Sequence, residues 1–246
     1  MTTALSDRPD QAVILAAGLG SRLRPVTVYT PKPLVPFFGR PLLDWAVGAA
    51  LRAGVTRIAV NAHHLADQVA DRVQLLARRH PKVEFFVSRE TELLGTGGAV
   101  RALADAGWLD RDHFWVINSD AVFDAPLTSL RFASAPALMV TRAPEHRHLR
   151  RLVVDAAGLL VGLDESAPES GVAFCGVTLA DARLPERLPR GPSCILRQGI
   201  LPFLPEFSVT TVSVPGFYAD TGTPALLADA HVRGAAFAAS RERFGV

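Results

Sequence analysis

Lysine is almost missing from this chain. Of its 26 lysine and arginine residues only Lys32 and Lys82 are lysines. Such a bias is the mark of G- and C-rich coding, where arginine codons displace lysine codons. A lysine kept inside Pro31-Lys32-Pro33 therefore points to a place for a compact ammonium, where a guanidinium fork is too wide. Cysteine is scarce as well: Cys175 and Cys194 are the two present. They give no disulfide framework and no zinc spacing, and read as free thiols in a reducing cytoplasm, Cys175 buried in a strand. No window approaches the ~18 apolar residues of a membrane-spanning helix. The first ten residues, polar and carrying Asp7 and Asp10, are expected to be a frayed tail and not a signal peptide. A net charge of +2 supplies no field for nucleic acid or an anionic membrane. There is no low-complexity segment, no linker, and no hexapeptide repeat of the kind that builds an appended β-helix.

What is present is an ordinary globular composition, 49% hydrophobic and 20% charged over 246 residues, with one concentrated signal near its start. Ala12-Val13-Ile14-Leu15 reads as a buried strand feeding a glycine loop, Gly18-Leu19-Gly20-Ser21-Arg22-Leu23-Arg24-Pro25-Val26-Thr27, and Pro31-Lys32-Pro33-Leu34 follows. Glycines let backbone N–H groups converge on phosphate oxygens without Cβ obstruction. Arg22 and Lys32 supply the cations a polyphosphate needs. Two familiar loops are excluded. The dinucleotide fingerprint needs a third glycine where Leu23 stands, and the P-loop needs Gly-Lys-Ser/Thr at its end.

Strand and helix patterns alternate through the first half. Pro41 opens a helix that Gly54 closes. Arg57–Val60 is a strand, and Leu65, Val69, Val73 and Leu76 mark one face of the next helix. Val83–Val87 is a third strand, Gly97 and Gly98 open a helix with free N–H groups, and Phe114–Ile117 is an apolar strand ending in Asn118-Ser119-Asp120. This alternation predicts a parallel sheet with helices on both faces, its ligand outside the carboxyl ends of the strands. The two loops Gly18–Arg22 and Asn118–Asp120 then face one crevice. After residue 135 the pattern turns β-rich: Ala137–Thr141, a hairpin around Asp155-Ala156-Ala157-Gly158, Val172–Leu179 and Val209–Val214. Thr223 caps a last helix with Pro224 at its first position. The expectation is one domain over residues 11–246, with a nucleotide-binding half to about 135 and an acceptor-binding half from 136.

Asp120, just past an apolar strand, and Asp220, in Tyr218-Ala219-Asp220-Thr221-Gly222-Thr223, are candidate metal ligands. Hard carboxylates suit Mg²⁺, which takes one or two of them beside phosphate oxygens and waters. The plain alternative for each is a turn-forming aspartate. His63 and His64 follow a strand and are expected to start a helix, His146 and His148 have no acidic or cysteine partner at metal spacing, and none of the four receives a catalytic role.

The loop signature, Ser119-Asp120, Glu92-Leu93-Leu94-Gly95-Thr96-Gly97-Gly98, Phe174-Cys175-Gly176-Val177 and Tyr218–Thr223 resemble, in this order, the motifs of the sugar-phosphate nucleotidyltransferases, the NDP-sugar pyrophosphorylases. The resemblance runs from about residue 11 to residue 230. It implies a Rossmann-like three-layer α/β/α fold with a mostly parallel central sheet. The implied reaction joins an NTP to a sugar 1-phosphate, giving an NDP-sugar and pyrophosphate, with Mg²⁺ on Asp120 and Asp220. Arg22, Lys32, Asp120 and Asp220 would carry the catalysis. Leu15, Ala16, Ala17, Gly18, Gly20, Ser21, Arg22, Glu92, Gly95, Thr96, Gly97 and Asn118 would hold the nucleotide, with the base on backbone groups from Leu15 to Gly18. Gly176 would leave room for the sugar, with Glu165 and Arg150 near its phosphate. Two departures stand out. Ser119 replaces a usual glycine, and no lysine follows Lys82, so the Glu-Lys-Pro motif of many relatives is missing. Arg142, His146, Arg147, Arg150 and Arg151 form a basic stretch nearby, whose bland reading is a solvated loop. The Gly95–Gly98 form resembles the mannose- or heptose-1-phosphate guanylyltransferase branch. The short chain and Pro144-Glu145-His146 resemble the N-acetylmuramate-1-phosphate uridylyltransferase branch. The donor is thus expected to be GTP or UTP, with a hexose or heptose 1-phosphate. The alternatives are a non-catalytic sugar-nucleotide sensor on the same fold and a phosphocholine cytidylyltransferase. The absent third glycine argues against a nicotinamide enzyme, and Asp120-Ala121-Val122-Phe123-Asp124 lacks the Asp-x-Asp spacing of metal-dependent glycosyltransferases.

Overall fold

Ala12, Val13 and Ile14 are each fully buried, on a strand covered on both faces. A continuous apolar run of this kind is what a central parallel strand requires. The computed structural model describes residues 9–130, 136–141, 151–164, 172–213 and 216–242. In chain order the strands are β1 (Gln11–Leu15), β2 (Pro36–Phe37), β3 (Arg40–Pro41), β4 (Arg57–Ala62), β5 (Glu84–Arg89), β6 (His113–Asn118), β7 (Ala121–Phe123), β8 (Ala137–Thr141), β9 (Arg151–Val154), β10 (Leu160–Asp164), β11 (Val172–Asp181), β12 (Thr210–Ser213) and β13 (Tyr218–Asp220). The helices are α1 (Leu42–Arg52), α2 (Ala66–Arg79), α3 (Gly95–Asp105), the single turn α4 (Leu184–Arg187) and α5 (Pro224–Glu242).

Nine of these strands make one sheet among the described residues, so both halves of the chain share it. Strands β6, β1, β4 and β5 are mutually parallel neighbours. Strand β11 joins β6 antiparallel, and β8 and β9 pair antiparallel with β11. The mostly parallel core with antiparallel additions matches the expected fold class. Alternation along the strands divides the core. Ala12, Ile14, Ile58 and Val60 face α1 and α2, packing with Leu43, Val47, Val69 and Val73. Val13, Ala59, Phe114 and Val116 face α3 and the segment after α4, packing with Val100, Leu103 and Ile200. Full burial of each such aliphatic side chain is worth about 1.5–3 kcal/mol. A third cluster, Phe37, Trp45 and Phe237 with Phe217 against it, seats α5 on the β2–β3 hairpin.

The helix punctuation follows the sequence. Pro41 precedes α1, and Gly54 beyond its end takes φ +87°. Thr223 Oγ1 accepts from the Leu226 N–H at 3.2 Å at the start of α5. In the β9–β10 hairpin, Asp155 Oδ1 accepts from the N–H groups of Ala157 and Leu159, an Asx-type turn. Helix α3 differs from expectation: it begins at Gly95, two residues early, because Gly95 adopts φ +70° and turns the chain into the helix. Arg151 is a strand residue only 6% exposed, not part of a solvated loop. Among the described residues no helix is long and apolar enough to cross a membrane.

Candidate active site

Leu15 and Asn118 end the parallel strands β1 and β6, Asn61 is the next-to-last residue of β4, and all three line one cavity of about 300 Å³ at the carboxyl edge of the sheet. The glycine loop Ala16–Arg22, Lys32, Ser119 and Asp120 complete its rim with Gly95, Thr96 and Gly222. The expected meeting of the two loops in one crevice is therefore present. A second cavity of about 590 Å³ adjoins it. Leu15, Arg22, Gly95, Thr96, Asn118 and Asp120 border both. The second is walled by Phe174, Gly176 and Thr178 from β11, by Ser193–Leu196, and by Tyr218 and Asp220 from β13.

Local packing explains the glycine loop. Gly20 sits at φ +61°, and a Cβ there would lie 2.9 Å from Thr27 Cγ2 and 3.0 Å from Lys32 Cβ. The Gly20 carbonyl accepts from the Leu23 N–H and from Thr27 Oγ1, both at 2.8 Å. Only glycine lets the loop close this tightly over the Lys32 stem. A Cβ on Gly18, by contrast, would meet no protein atom within 4 Å, so that backbone is exposed and open to a ligand. The four candidate catalytic residues converge here. Lys32, 9% exposed, donates from Nζ to Asp120 Oδ2. Thr221 Oγ1 donates to the Asp120 carbonyl at 3.0 Å, and β13 pairs with β7 so that Asp220 stands opposite Ala121. The register thus sets Asp220 beside Asp120. Asp220 Oδ1 accepts from the Gly222 N–H at 2.8 Å. A Cβ on Gly222 would stand 2.8 Å from Arg22 Nη2 and 3.0 Å from that same Oδ1, so the glycine makes room for the guanidinium and the carboxylate together. Ser119 is held by its N–H on the Leu15 carbonyl at 3.1 Å and is not at a positive φ, so serine fits where glycine was expected.

Several sequence expectations change in detail. Ala16 N–H and the Leu15 carbonyl already have partners, Asn61 Oδ1 at 2.6 Å and Ser119 N–H, so fewer backbone groups between Leu15 and Gly18 are open to a base. The Gly97 N–H is not free: it donates to the Ser193 carbonyl at 2.9 Å. Gly97 and Gly98 serve close packing instead, since a Cβ on Gly98 would come within 2.3 Å of the Gly191 carbonyl. Glu92 is exposed and borders neither cavity. The buried acid of that segment is Glu90, which accepts from Asn61 Nδ2 at 2.7 Å and from the Leu94 N–H at 3.1 Å. The space at Gly176 is taken by Asn118: a Cβ at this φ +74° residue would stand 2.9 Å from Asn118 Nδ2. Glu165 and Arg150, with the other basic residues at 142–147, lie outside the described residues. His63 and His64 brace loops, contacting the Glu90 and Thr27 carbonyls. Asn61, Thr178 and Ser193–Leu196 were missed. The signal for Asn61 was available: a polar residue follows the apolar run Ile58-Ala59-Val60, as Asn118 follows Phe114–Ile117.

The donor set fits Mg²⁺. Asp120 and Asp220, brought close by the β13–β7 register, are hard carboxylates at the cavity rim, and Mg²⁺ takes one or two such groups beside phosphate oxygens and waters. Asp120 already holds a cationic group, the Lys32 ammonium. Burial pushes the Tyr218 phenol well up, with the Cys175 thiol, Asp220 and Asp120 adding to it, so the phenol stays protonated beside the acids.

The site joins a glycine loop, two cations and two carboxylates at the carboxyl edge of an α/β sheet. The Nucleotidyl transferase family matches residues 11–148, and the chain belongs to that family. It is 27% identical over 221 residues to the mannose-1-phosphate guanylyltransferase catalytic subunit beta of Drosophila melanogaster, covering 87% of this chain and 60% of the fly protein. It is 28% identical over 226 residues to the mannose-1-phosphate guanyltransferase of Emericella nidulans, covering 87% and 61%. The chain thus spans about three fifths of the length of these relatives. Among solved structures, HddC from Yersinia pseudotuberculosis complexed with GMP-PN superposes with a TM-score of 0.73 at 24% identity, covering 90% of this chain and 98% of that one. The inositol-1-phosphate CTP transferase of T. maritima gives 0.71 at 17% identity, covering 89% and 91%. Both share the fold.

Proposed function

We propose that the protein transfers a nucleotidyl group from an NTP to a sugar 1-phosphate, releasing pyrophosphate. The observation that carries this reading is the convergence of Arg22, Lys32, Asp120 and Asp220 on two adjoining cavities, one lined by the glycine loop and one by β11 and β13. An oxygen of the acceptor phosphate attacks the α-phosphorus. A new P–O bond forms there as the bond to the bridging oxygen of pyrophosphate breaks. The attacking oxygen is already anionic, so no general base is needed, and catalysis reduces to positioning and charge stabilisation. Arg22 offsets the charge of the departing pyrophosphate, and Lys32 that of the α- or acceptor phosphate. A Mg²⁺ held by Asp120 and Asp220 would add charge neutralisation at the reacting phosphates. Tyr218 and Phe174 give the second cavity part of its apolar wall.

GTP or UTP is the donor in this reading, with a hexose or heptose 1-phosphate as acceptor. The guanylyltransferase names of the relatives favour GTP. Pyrophosphate release with Mg²⁺ tests it, crossing ATP, CTP, GTP, UTP and dTTP with a panel of sugar 1-phosphates and phosphocholine. Release with one pair names both substrates. Silence across the panel, with an NDP-sugar still bound, turns the reading toward a sensor.

A further inference from the structure

Lys32 is a nearly buried ammonium set directly on a carboxylate that the proposed function gives to a metal. Its side chain is 11% exposed and that of Asp120 30%. The Gly20 backbone lies so close to the Lys32 stem that a Cβ on Gly20 would stand 3.0 Å from Lys32 Cβ, so the start of the side chain is hemmed in and the outer methylenes carry the ammonium. We propose that Lys32 acts as a resident cation on Asp120, and that a divalent metal gains Asp120 only when nucleotide phosphate draws the ammonium away. This rests on the metal reading of Asp120 above.

The physical argument is one of charge exchange. The ammonium on Asp120 Oδ2 competes with a divalent ion for that carboxylate, because two cations on one small anion repel at that range. A metal alone offers the displaced ammonium no new anion, and a buried unpaired charge is costly. A polyphosphate on the glycine loop offers one, since Lys32, Gly18, Gly20 and Arg22 line the same cavity. Nucleotide and metal therefore favour each other through Lys32, and by linkage the effect is reciprocal. A lysine suits this exchange better than an arginine. Its ammonium is a compact charge that passes from one oxygen to another, whereas a guanidinium grips a carboxylate with two parallel bonds.

The test is Mn²⁺ binding to the full chain without nucleotide, read by electron paramagnetic resonance of the free ion. Wild type is expected to bind weakly. Lys32→Met, and Lys32→Gln as a second neutral replacement, should bind Mn²⁺ roughly tenfold or more tightly. Lys32→Arg should bind no tighter than wild type. Adding Asp120→Asn to either neutral variant should remove the gain, with circular dichroism showing that the fold persists. Neutral variants that bind at an Asp120-dependent site no tighter than wild type would overturn the exchange and leave the metal reading standing. No Mn²⁺ binding by any variant, with or without nucleotide, would overturn both.

Discussion

Asn61 joins the glycine loop to a buried acid: its Oδ1 accepts from the Ala16 N–H at 2.6 Å while its Nδ2 donates to Glu90 Oε1 at 2.7 Å. Asn61 is 3% exposed and Glu90 9%. One amide thereby fixes the end of β1 and the start of the α3 segment. Asn61→Ala leaves both partners unsatisfied, so a stability loss of about 1–3 kcal/mol is expected in urea titration. Steady-state kinetics should show a raised KM for the NTP and an unchanged KM for the acceptor. A matching rise in both would refute a role confined to the nucleotide side.

Gly176→Ala tests the meeting of β11 with β6. The residue is at φ +74°, and its missing Cβ would press on Asn118. The substitution is expected to cost about 1–3 kcal/mol and, by shifting Asn118 between the two cavities, to raise the KM for both substrates. Wild-type stability in calorimetry would contradict it.

Asp120→Asn keeps the size and one acceptor oxygen but removes the charge that meets Lys32. Turnover is expected to fall by about 10²-fold or more, with an unaltered circular dichroism spectrum. Near-normal turnover would remove Asp120 from the metal assignment.

Lys32→Arg keeps the charge and changes its shape. With Gly20 packed close to the start of the stem, the wider head cannot take the same position against Asp120. Single-turnover rates should drop clearly below wild type, and full activity would refute the compact-cation argument.

Alkaline pH should weaken the fold. Burial pushes the Cys175 thiol up from its ordinary 9.0 and the Tyr218 phenol up from its ordinary 10.0. Both protons are held more firmly in the folded state. The associated stability is complete below the ordinary values and is lost as pH rises past them, where the unfolded chain ionises first. Urea titrations above pH 9 should lose up to about 1.4 kcal/mol per pH unit for each group. Cys175→Ala should remove the earlier part of that loss, and an unchanged pH profile in the variant would exclude the thiol as its source.

Much of the site was legible because its parts sit at the ends of apolar strands. Leu15 and Asn118 announce the carboxyl edge of the sheet, and Arg22, Lys32 and Asp120 follow from it. Glu92 drew attention from its place beside Gly95, but the acid turned inward is Glu90, where β5 ends and the chain bends toward Asn61. Local spacing does not carry that choice, because it depends on a partner 29 residues away.

The sequence by itself determined the alternation of β1, α1, β4, α2, β5, α3 and β6, since hydrophobic period and helix punctuation are local properties. It also carried the expectation of phosphate chemistry at the glycine loop, because that chemistry needs a particular backbone and particular charges. Only the tertiary structure decided that Asp220 arrives beside Asp120 through the β13–β7 pairing, that Gly222 makes room for Arg22, and that Ser193 takes the Gly97 N–H. These are contacts between segments far apart in the chain. Their geometry is set by sheet register and side-chain packing, which no single stretch of sequence contains.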